Sequence, residues 1–266
     1  MLYLFIWFSC NFVPNLKNMA QFTEEEKIYR RVETRFNKGI VKYRLIDEGD
    51  KILVGLSGGK DSLALLELLG RRSKIFKPRF SVVAAYIAMT NIPYQSDVEY
   101  LKNYAESFGI PFVYSETSFD ASTDTRKSPC FLCSWNRRKA LFTVAKEQGC
   151  NKIALGHHMD DILETLLMNQ VFQGAFSSMP PKLMMRKFDM TIIRPMCLIP
   201  EADLIALAGV RDFKKQKKNC PYEVDSHRSD MKEVLRLFEK MNPEARYSLW
   251  GSMNNIQTDL LPKTGI

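Results

Sequence analysis

Five short apolar runs alternate with segments whose apolar residues recur at helical spacing, and this alternation constrains the fold more than any other feature. An apolar run of about four to eight residues between turn residues is typical of a strand buried on both faces. Strands that alternate with helices form a parallel sheet covered by helices on both sides. The expected strands are 51–56, 80–89, 111–116, 152–157 and 191–196, and the expected helices are 23–46, 62–72, 97–108, 136–148, 160–172 and 201–208. Residues 118–135 and 174–190 are expected to be long irregular segments. We therefore predict an α/β fold with a doubly wound, five-stranded parallel sheet of Rossmann-like type in the order 3-2-1-4-5.

The chain divides into four parts by composition. Its first residues are almost wholly apolar and no Lys or Arg precedes Lys17, so this start lacks both the length of a membrane span, about 20 residues, and the basic start of a secretory signal. We interpret residues 1–18 as a leader foreign to the protein, with translation beginning at Met19. The remaining parts are an N-terminal helix at 19–48, a catalytic domain at 49–210 and a C-terminal segment with a helix at 211–266. Because no stretch has spanning length, we expect a cytoplasmic protein that does not bind membranes.

The charge balance favours a polyanionic partner. Lys and Arg number 38 against 30 Asp and Glu, a net charge of +8. Each cation placed beside a phosphate releases a counterion, so such a surplus suits a nucleic acid. A merely basic surface is the alternative explanation.

A glycine-rich string, Ser57-Gly58-Gly59-Lys60-Asp61-Ser62, stands between the first strand and a leucine-rich helix. Its glycines let the backbone approach an anion, and the helix start supplies N–H groups and the positive end of the helix dipole. Lys60 adds a cation, and Ser57 and Ser62 add hydroxyl donors. The string therefore predicts a phosphate-binding loop, although it matches neither G-x-x-x-x-G-K-[ST] nor G-x-G-x-x-G.

A second polar string, Gly156-His157-His158-Met159-Asp160-Asp161, follows the fourth strand. In the predicted strand order it faces the phosphate loop across the switch point of the sheet, where ligands of such sheets bind. The carboxylates, with Glu164 on the same helix, suit magnesium or a substrate amine; an Asp pair that only stabilises the helix start is the alternative. Adjacent histidines diverge and do not form a zinc pair, so we expect one to contact nucleotide and the other to pack.

The third constellation is made of cysteines. The chain has six, too few for a disulfide scaffold, so they read as reduced thiols. Cys130 and Cys133 form a C-x-x-C pair that suits one metal or a redox couple, and Cys220 follows a lysine-rich run. We expect Cys150 and Cys197 to be small buried apolar residues.

Together these strings resemble the PP-loop ATP pyrophosphatases, of the adenine nucleotide alpha-hydrolase type, and within them the tRNA 2-thiocytidine synthetases. The resemblance covers roughly residues 36–256. The matching pieces are Glu48-Gly49-Asp50, residues 57–62, Cys130 and Cys133 followed by Arg137-Arg138, Gly156-His157-His158 with Asp160-Asp161, Ser178-Met179-Pro180-Pro181-Lys182-Leu183, Ile193-Arg194-Pro195 and Cys220.

The resemblance implies ATP and two inorganic cofactors. ATP would lie on residues 57–62, Gly156 and His157, with Mg²⁺ between the phosphates and Asp61, and Asp160 as a further candidate ligand. A [4Fe–4S] cluster would be held by Cys130, Cys133 and Cys220, with one iron open for sulfide. The sequence departs from the family at Glu223, where a second C-x-x-C often ends. A zinc site that adds His227 is the competing assignment.

The resemblance also implies the reaction and its partners. The C2 carbonyl oxygen of a tRNA cytidine in the anticodon loop would attack the α-phosphate of ATP, pyrophosphate would leave, and sulfur would replace AMP. Lys60, Asp61 and Asp161 are the expected catalytic residues, Lys60 by charge stabilisation and Asp161 by orienting the base or accepting a proton. The expected RNA contacts are Arg137, Arg138, Lys214, Lys215, Lys217 and Lys218, although the lysine run also suits a solvated loop.

The expected sulfur donor is an enzyme such as a cysteine desulfurase, and the family implies a homodimer. The alternatives are a 2-thiouridine or lysidine synthetase of the same superfamily, and a non-catalytic, metal-stabilised RNA-binding module. The lysidine enzyme needs no cysteine cluster, and the intact loop argues against the module.

Overall fold

A computed structural model describes most of the chain. The described residues are 22–75, 77–92, 96–120, 122, 126, 128–186, 188–214, 216 and 227–262. The expected leader, Cys220, Glu223 and three lysines of the basic run (Lys215, Lys217 and Lys218) lie outside them. Within these ranges no helix has both the length and the apolar character needed to cross a membrane.

Six strands in the described residues form one sheet at the centre of the protein. The strands are β1 (Asp50–Gly55), β2 (Phe80–Met89), β3 (Phe112–Thr117), β4 (Lys152–Ala154), β5 (Lys182–Met185) and β6 (Met190–Ile193). They lie in the order β3-β2-β1-β4-β6-β5. Neighbours among β1, β2, β3, β4 and β6 pair in parallel, which confirms the expected order of the five predicted strands.

The edge strand β5 was not predicted. It runs antiparallel to β6, with Leu183 opposite Ile192, inside the region expected to be irregular, 174–190. Its four residues alternate between exposed and half-buried, a pattern too short to recognise in a sequence. The sheet is therefore mixed, with one antiparallel edge on a parallel centre.

Eight α-helices and a 3-10 turn are found in the described residues. They are α1 (Glu24–Tyr43), α2 (Lys60–Arg72), α3 (Val98–Ser107), α4 (Pro129–Glu147), α5 (Met159–Gln173), α6 (Glu201–Val210), α7 (His227–Met241), α8 (Ala245–Ser252) and the turn Thr258–Leu260.

Helix α4 begins seven residues earlier than expected, at Pro129 rather than at residue 136. The hydroxyl oxygen of Ser128 accepts a hydrogen bond from the Phe131 N–H, and proline is favoured at a first helical position. The prediction of an irregular segment through residue 135 is therefore wrong. As a result, Cys130 and Cys133 lie within a helix.

Apolar clusters cover both faces of the sheet. Ile52 and Val54 of β1 pack into a cluster with α1, α2 and α6, whereas Leu53 packs with α4 on the opposite face. These three side chains are fully buried, each contributing about 1.5–3 kcal/mol to folding. A third cluster joins α5, α7 and α8. The doubly wound arrangement places the carboxyl ends of β1, β2 and β4 at one open edge.

Candidate active site

The phosphate loop joins β1 to α2 at this edge. Gly58 has φ of 81°, a left-handed conformation that glycine adopts without strain. Ser62 donates a hydrogen bond to the Gly59 carbonyl oxygen (2.9 Å) and accepts one from the Ser57 N–H (3.2 Å), so the loop is tied to the first turn of α2. No side chain in the described ranges caps α2 at Gly59. The N–H groups at this helix start are therefore suited to an anion.

The second polar string packs directly against this loop. A Cβ added to Gly156 would lie 3.3 Å from the backbone nitrogen of Ser62 and 3.2 Å from the backbone carbon of Asp61. Glycine therefore allows the segment after β4 to pack against the first turn of α2. The two strings share one crevice, as the predicted strand order implied.

Lys60 is held by two carboxylates. Its Nζ lies 3.1 Å from Asp61 Oδ2 and 3.2 Å from Glu201 Oε1, and Glu201 also pairs with Lys232 of α7. Burial opposes ionisation, but the hydrogen bonds from Lys232 and Lys60 lower the pKa of Glu201 to about 2. Glu201 is not among the residues predicted from the sequence, because an acidic residue at the start of a helix is common and carries no specific signal.

Asp61 has one carboxylate oxygen to spare. Oδ1 is buried and has no hydrogen-bond partner in the described residues, whereas Oδ2 accepts from Lys60. Such an acceptor is costly unless a partner arrives, and a divalent cation is a partner that suits a carboxylate facing phosphates. Asp61 therefore fits the expected magnesium.

Asp160 has a different environment. Its Oδ2 accepts a hydrogen bond from the Glu201 N–H (2.8 Å), and its Oδ1 accepts from Arg246. These contacts occupy both oxygens, so the geometry favours a structural link between α5, α6 and α8 over magnesium binding. Across the described parts of the chain, no three His, Cys, Asp or Glu residues form a metal-binding group.

The adjacent histidines have separate environments. His158 is the N-cap of α5: its Nδ1 accepts from the Asp161 N–H (3.4 Å), and Asp161 Oδ2 accepts from the His158 N–H (3.0 Å). His157 Nδ1 lies 3.2 Å from Nε of Arg194, an arginine that is not among the predicted site residues. Burial lowers the pKa of both histidines, that of His157 to about 4, so both rings are neutral at pH 7.

Asp161 and Glu164 face the C-terminal helix α7. Arg228 Nη1 lies 3.4 Å from Asp161 Oδ1, and Arg228 Nε lies 3.8 Å from Glu164 Oε2. Burial, and then the charge of Asp161, raise the pKa of Glu164 to about 7. In the expected carboxylate set, the surroundings of Glu164 therefore oppose its ionisation.

A cavity of about 290 Å³ opens beside the phosphate loop. Its walls come from the ends of β1, β2 and β4 and from α4, and they are mostly apolar with a few polar groups, as is typical of a ligand site. The lining residues that bear on function are Leu56, Ser57, Tyr86, Ile87, Cys133, Arg137, Arg138 and His157.

The cysteine pair lies at the start of α4. Cys130 and Cys133 are three residues apart and so share a helix face. Cys133 and Ser57 of the phosphate loop line the same cavity. The third expected ligand, Cys220, lies outside the described residues. Cys150 and Cys197 are buried, as predicted.

The remaining expected metal and RNA contacts within the described residues are His227, Lys214, Arg137 and Arg138. His227, the extra ligand of the zinc alternative, is exposed at the start of α7, with Nδ1 3.1 Å from Asp230 Oδ2 and its ring beside Phe172. Lys214 is exposed and pairs with Asp97. Arg137 and Arg138 line the same cavity as Ser57 of the phosphate loop and Cys133.

Comparison with known proteins gives a family model, two relatives and a solved structure that match most of the chain. The family model described as a PP-loop domain matches residues 25–214. A protein of Geobacter metallireducens named tRNA-cytidine(32) 2-sulfurtransferase is 35% identical over 240 residues, covering 88% of this chain and 92% of that one. One of the same name from Neisseria meningitidis is 35% identical over 253 residues, covering 93% and 79%. The solved structure of the U34-tRNA thiolase NcsA from Methanococcus maripaludis with its [4Fe-4S] cluster has a TM-score of 0.69 and 26% identity, covering 87% of this chain and 79% of that one.

Proposed function

The chain belongs to the PP-loop family, and on that premise we propose that it is an ATP-dependent sulfurtransferase that converts a tRNA cytidine to 2-thiocytidine. One observation carries the proposal: Ser57 of the phosphate loop and Cys133 of the cysteine pair line the same cavity. A site that activates a base with ATP and delivers sulfur to it needs these two parts side by side. Relatives named for this reaction match most of the chain.

The loop would bind the phosphates of ATP. The uncapped start of α2 supplies N–H donors, and Lys60 supplies a positive charge. The carboxylate oxygen of Asp61 that is unpartnered within the described residues would hold Mg²⁺, which would neutralise phosphate charge. The adenine would lie in the apolar part of the cavity, against Leu56 and Ile87 at the ends of β1 and β2.

The protein would then promote attack of the C2 carbonyl oxygen on the α-phosphate, with pyrophosphate as the leaving group. Lys60, held near the phosphates by Asp61 and Glu201, would stabilise the charge that develops there. Asp161, at the start of α5, would orient the base or accept its proton. The cavity would exclude water, which protects the adenylated base from hydrolysis.

Cys130 and Cys133 would hold the cluster together with Cys220. Their position one helical turn apart at an accessible helix start suits two thiolates on one cluster. When bound, the cluster would supply the sulfur that replaces AMP at C2. The matched thiolase from Methanococcus maripaludis is named with a [4Fe-4S] cluster, which favours iron and sulfide over zinc.

The surface of α4 suits an unpaired RNA base. Phe131 and Trp135 are about half exposed, and their rings lie parallel with centroids 6.5 Å apart. Arg137 and Arg138 follow on the same helix. Aromatic rings next to arginines are the usual surface for bases of single-stranded loops. We therefore place the anticodon loop of tRNA over this helix, with phosphate contacts from both arginines and from Lys214.

Three further proposals depend on the family resemblance. A cysteine desulfurase would renew the sulfur, two copies would form a homodimer, and the reaction would take place in the cytoplasm.

The proposal is tested by anaerobic purification, followed by iron, sulfide and zinc analysis, and by nucleoside mass spectrometry of tRNA incubated with protein, ATP and sulfide. We expect iron and sulfide in the protein, pyrophosphate release that depends on tRNA, and 2-thiocytidine as the product. The substitution Cys150→Ala, at a buried cysteine away from the pair, is the matched control for Cys133→Ala.

Each alternative has its own result. A 2-thiouridine or lysidine product would assign the protein to another PP-loop activity. Binding of tRNA without pyrophosphate release would identify a non-catalytic module. If the protein contains zinc in place of iron and sulfide, the proposed cluster is wrong. The proposed ATP site would then have to be judged from pyrophosphate release alone.

A further inference from the structure

The contacts of Arg194 fix its guanidinium beside His157. Its Nη1 donates to the Pro180 carbonyl oxygen (2.6 Å), and its backbone N–H donates to the Pro181 carbonyl oxygen (2.8 Å). The residue is 6% exposed and follows β6 directly. Its Nε, 3.2 Å from His157 Nδ1, is therefore held at a fixed place.

This contact determines which ring nitrogen of His157 carries hydrogen. A guanidinium keeps its protons in proteins and has no acceptor, so Arg194 donates and Nδ1 accepts. A nitrogen that accepts carries no hydrogen, and a neutral imidazole then has its hydrogen on Nε2. Burial and the charge of Arg194 both lower the pKa of His157, which keeps the ring neutral.

In this tautomer, His157 can donate a hydrogen bond from Nε2 to a ligand in the cavity. The residue lines the cavity together with Ser57 and Cys133, and Arg194 occupies Nδ1, which leaves Nε2 to meet a ligand. A neutral N–H group in an apolar cavity is a hydrogen-bond donor. It cannot act there as a general base, because the other nitrogen already faces a cation.

We propose that Arg194 is a positioning residue that fixes His157 in its Nε2–H form, and that His157 donates a hydrogen bond to an acceptor atom of the bound nucleotide. The second half rests on the proposed ATP site, and the first does not. The Nδ1 of the neighbouring His158 also accepts a hydrogen bond, but from the backbone N–H of Asp161 and not from a cationic side chain.

The first half is tested by nitrogen NMR of the ligand-free protein, in which long-range proton–nitrogen correlations distinguish the two ring nitrogens. The chain has three histidines, so few signals need assignment, and His157→Gln identifies those of His157. We expect hydrogen on Nε2 alone at pH 7. We expect Arg194→Met to give a mixture of tautomers and Arg194→Lys, which restores a cationic donor, to recover the Nε2–H form. Arg236→Met, at an exposed arginine of α7, is the control.

A wild-type spectrum with hydrogen on Nδ1, or with mixed tautomers, would overturn the first half even if Arg194→Met does not fold. So would an unchanged tautomer in a folded Arg194→Met protein. Neither result depends on whether the protein thiolates tRNA.

The second half is tested by calorimetric titration with the α,β-methylene analogue of ATP. The amide nitrogen of glutamine can take the place of Nε2, whereas that of asparagine lies nearer the position of Nδ1. A lost hydrogen bond weakens binding by about tenfold, so we expect that loss for His157→Asn and a smaller one for His157→Gln. Equal losses in the two variants, or no loss in either, would refute donation to the nucleotide. If the analogue does not bind the wild-type protein at all, the proposed ATP site fails, while the tautomer result still stands.

Discussion

Glu164 allows a direct test of the electrostatics of the site, through the substitution Glu164→Gln. The carboxyl is 4% exposed, beside Asp161 and 3.8 Å from Arg228. Glutamine keeps the size and the hydrogen-bonding capacity of the side chain but cannot ionise. The substitution therefore removes the charge and leaves the packing of α5 in place.

The expected effect follows from the pKa of Glu164, which is about 7 in the folded protein against an ordinary value of 4.5. Because the folded-state pKa is raised, ionisation of Glu164 favours the unfolded state above pH 4.5, and this cost grows until the pH passes 7. This difference between the folded-state and ordinary pKa values corresponds to at most ~3.4 kcal/mol in the free energy of unfolding, at 1.36 kcal/mol per unit of pKa. Allowing for solvent screening of the repulsion from the partly exposed Asp161, we expect Glu164→Gln to stabilise the protein by about 2 kcal/mol at pH 8. The gain should shrink to about 0.3 kcal/mol at pH 4.5.

Urea unfolding of both proteins at several pH values between 4.5 and 8 measures this difference. Glu147→Gln, at an exposed position near the end of α4, is the matched control and should give a small difference that does not vary with pH. A stability gain that is constant across the range, or a loss at pH 8, would refute the assignment of the raised pKa to Glu164.

Three other substitutions test the separate parts of the site. Lys60→Ala removes the cation between Asp61 and Glu201, so ATP binding should weaken by tenfold or more, which is about 1.4 kcal/mol of binding free energy. The iron content should not change, and a simultaneous loss of iron would contradict separate nucleotide and cluster sites. Cys133→Ala should lose the iron and the thiolation activity but retain nucleotide binding by calorimetry, and full iron content would remove this residue from the ligand set. Gly58→Ala forces a left-handed conformation on alanine and places its Cβ 2.6 Å from Gln216 Cγ, so it should cost more than the ~1–2 kcal/mol of backbone strain alone. Gly49→Ala, with the same φ but open space around it, isolates that strain; equal urea midpoints for the two glycine variants would show that the collision has no effect.

Much of the fold could be predicted because each strand of the parallel centre is locally apolar. β2 was predicted with both ends correct, since ten residues from Phe80 to Met89 are strand-forming and mostly apolar. β5 was missed because its pairing with β6 decides its structure, and four residues carry too little pattern. The start of α4 was missed although Ser128 and Pro129 form a recognisable helix start, because the cysteine motif was read as a loop.

The site was predictable where the chemistry is contiguous in the sequence. The strings at Ser57 to Ser62 and around His157 can be recognised by their residue types and by their position after strands. The contacts of Glu201 with Lys60 and of Arg194 with His157 join residues 141 and 37 positions apart, and spacing along a chain gives no information about such pairs.

The carboxylate of Glu201 links the phosphate loop to the C-terminal part of the protein. It bridges Lys60 at the first position of α2 and Lys232 on α7, the helix that follows the stretch containing Cys220. If ATP binds as proposed, its phosphates would compete with Glu201 for the ammonium group of Lys60 and would leave this carboxylate to Lys232 alone. Binding of the nucleotide would then alter an ion pair of α7, the helix that follows Cys220 in the sequence.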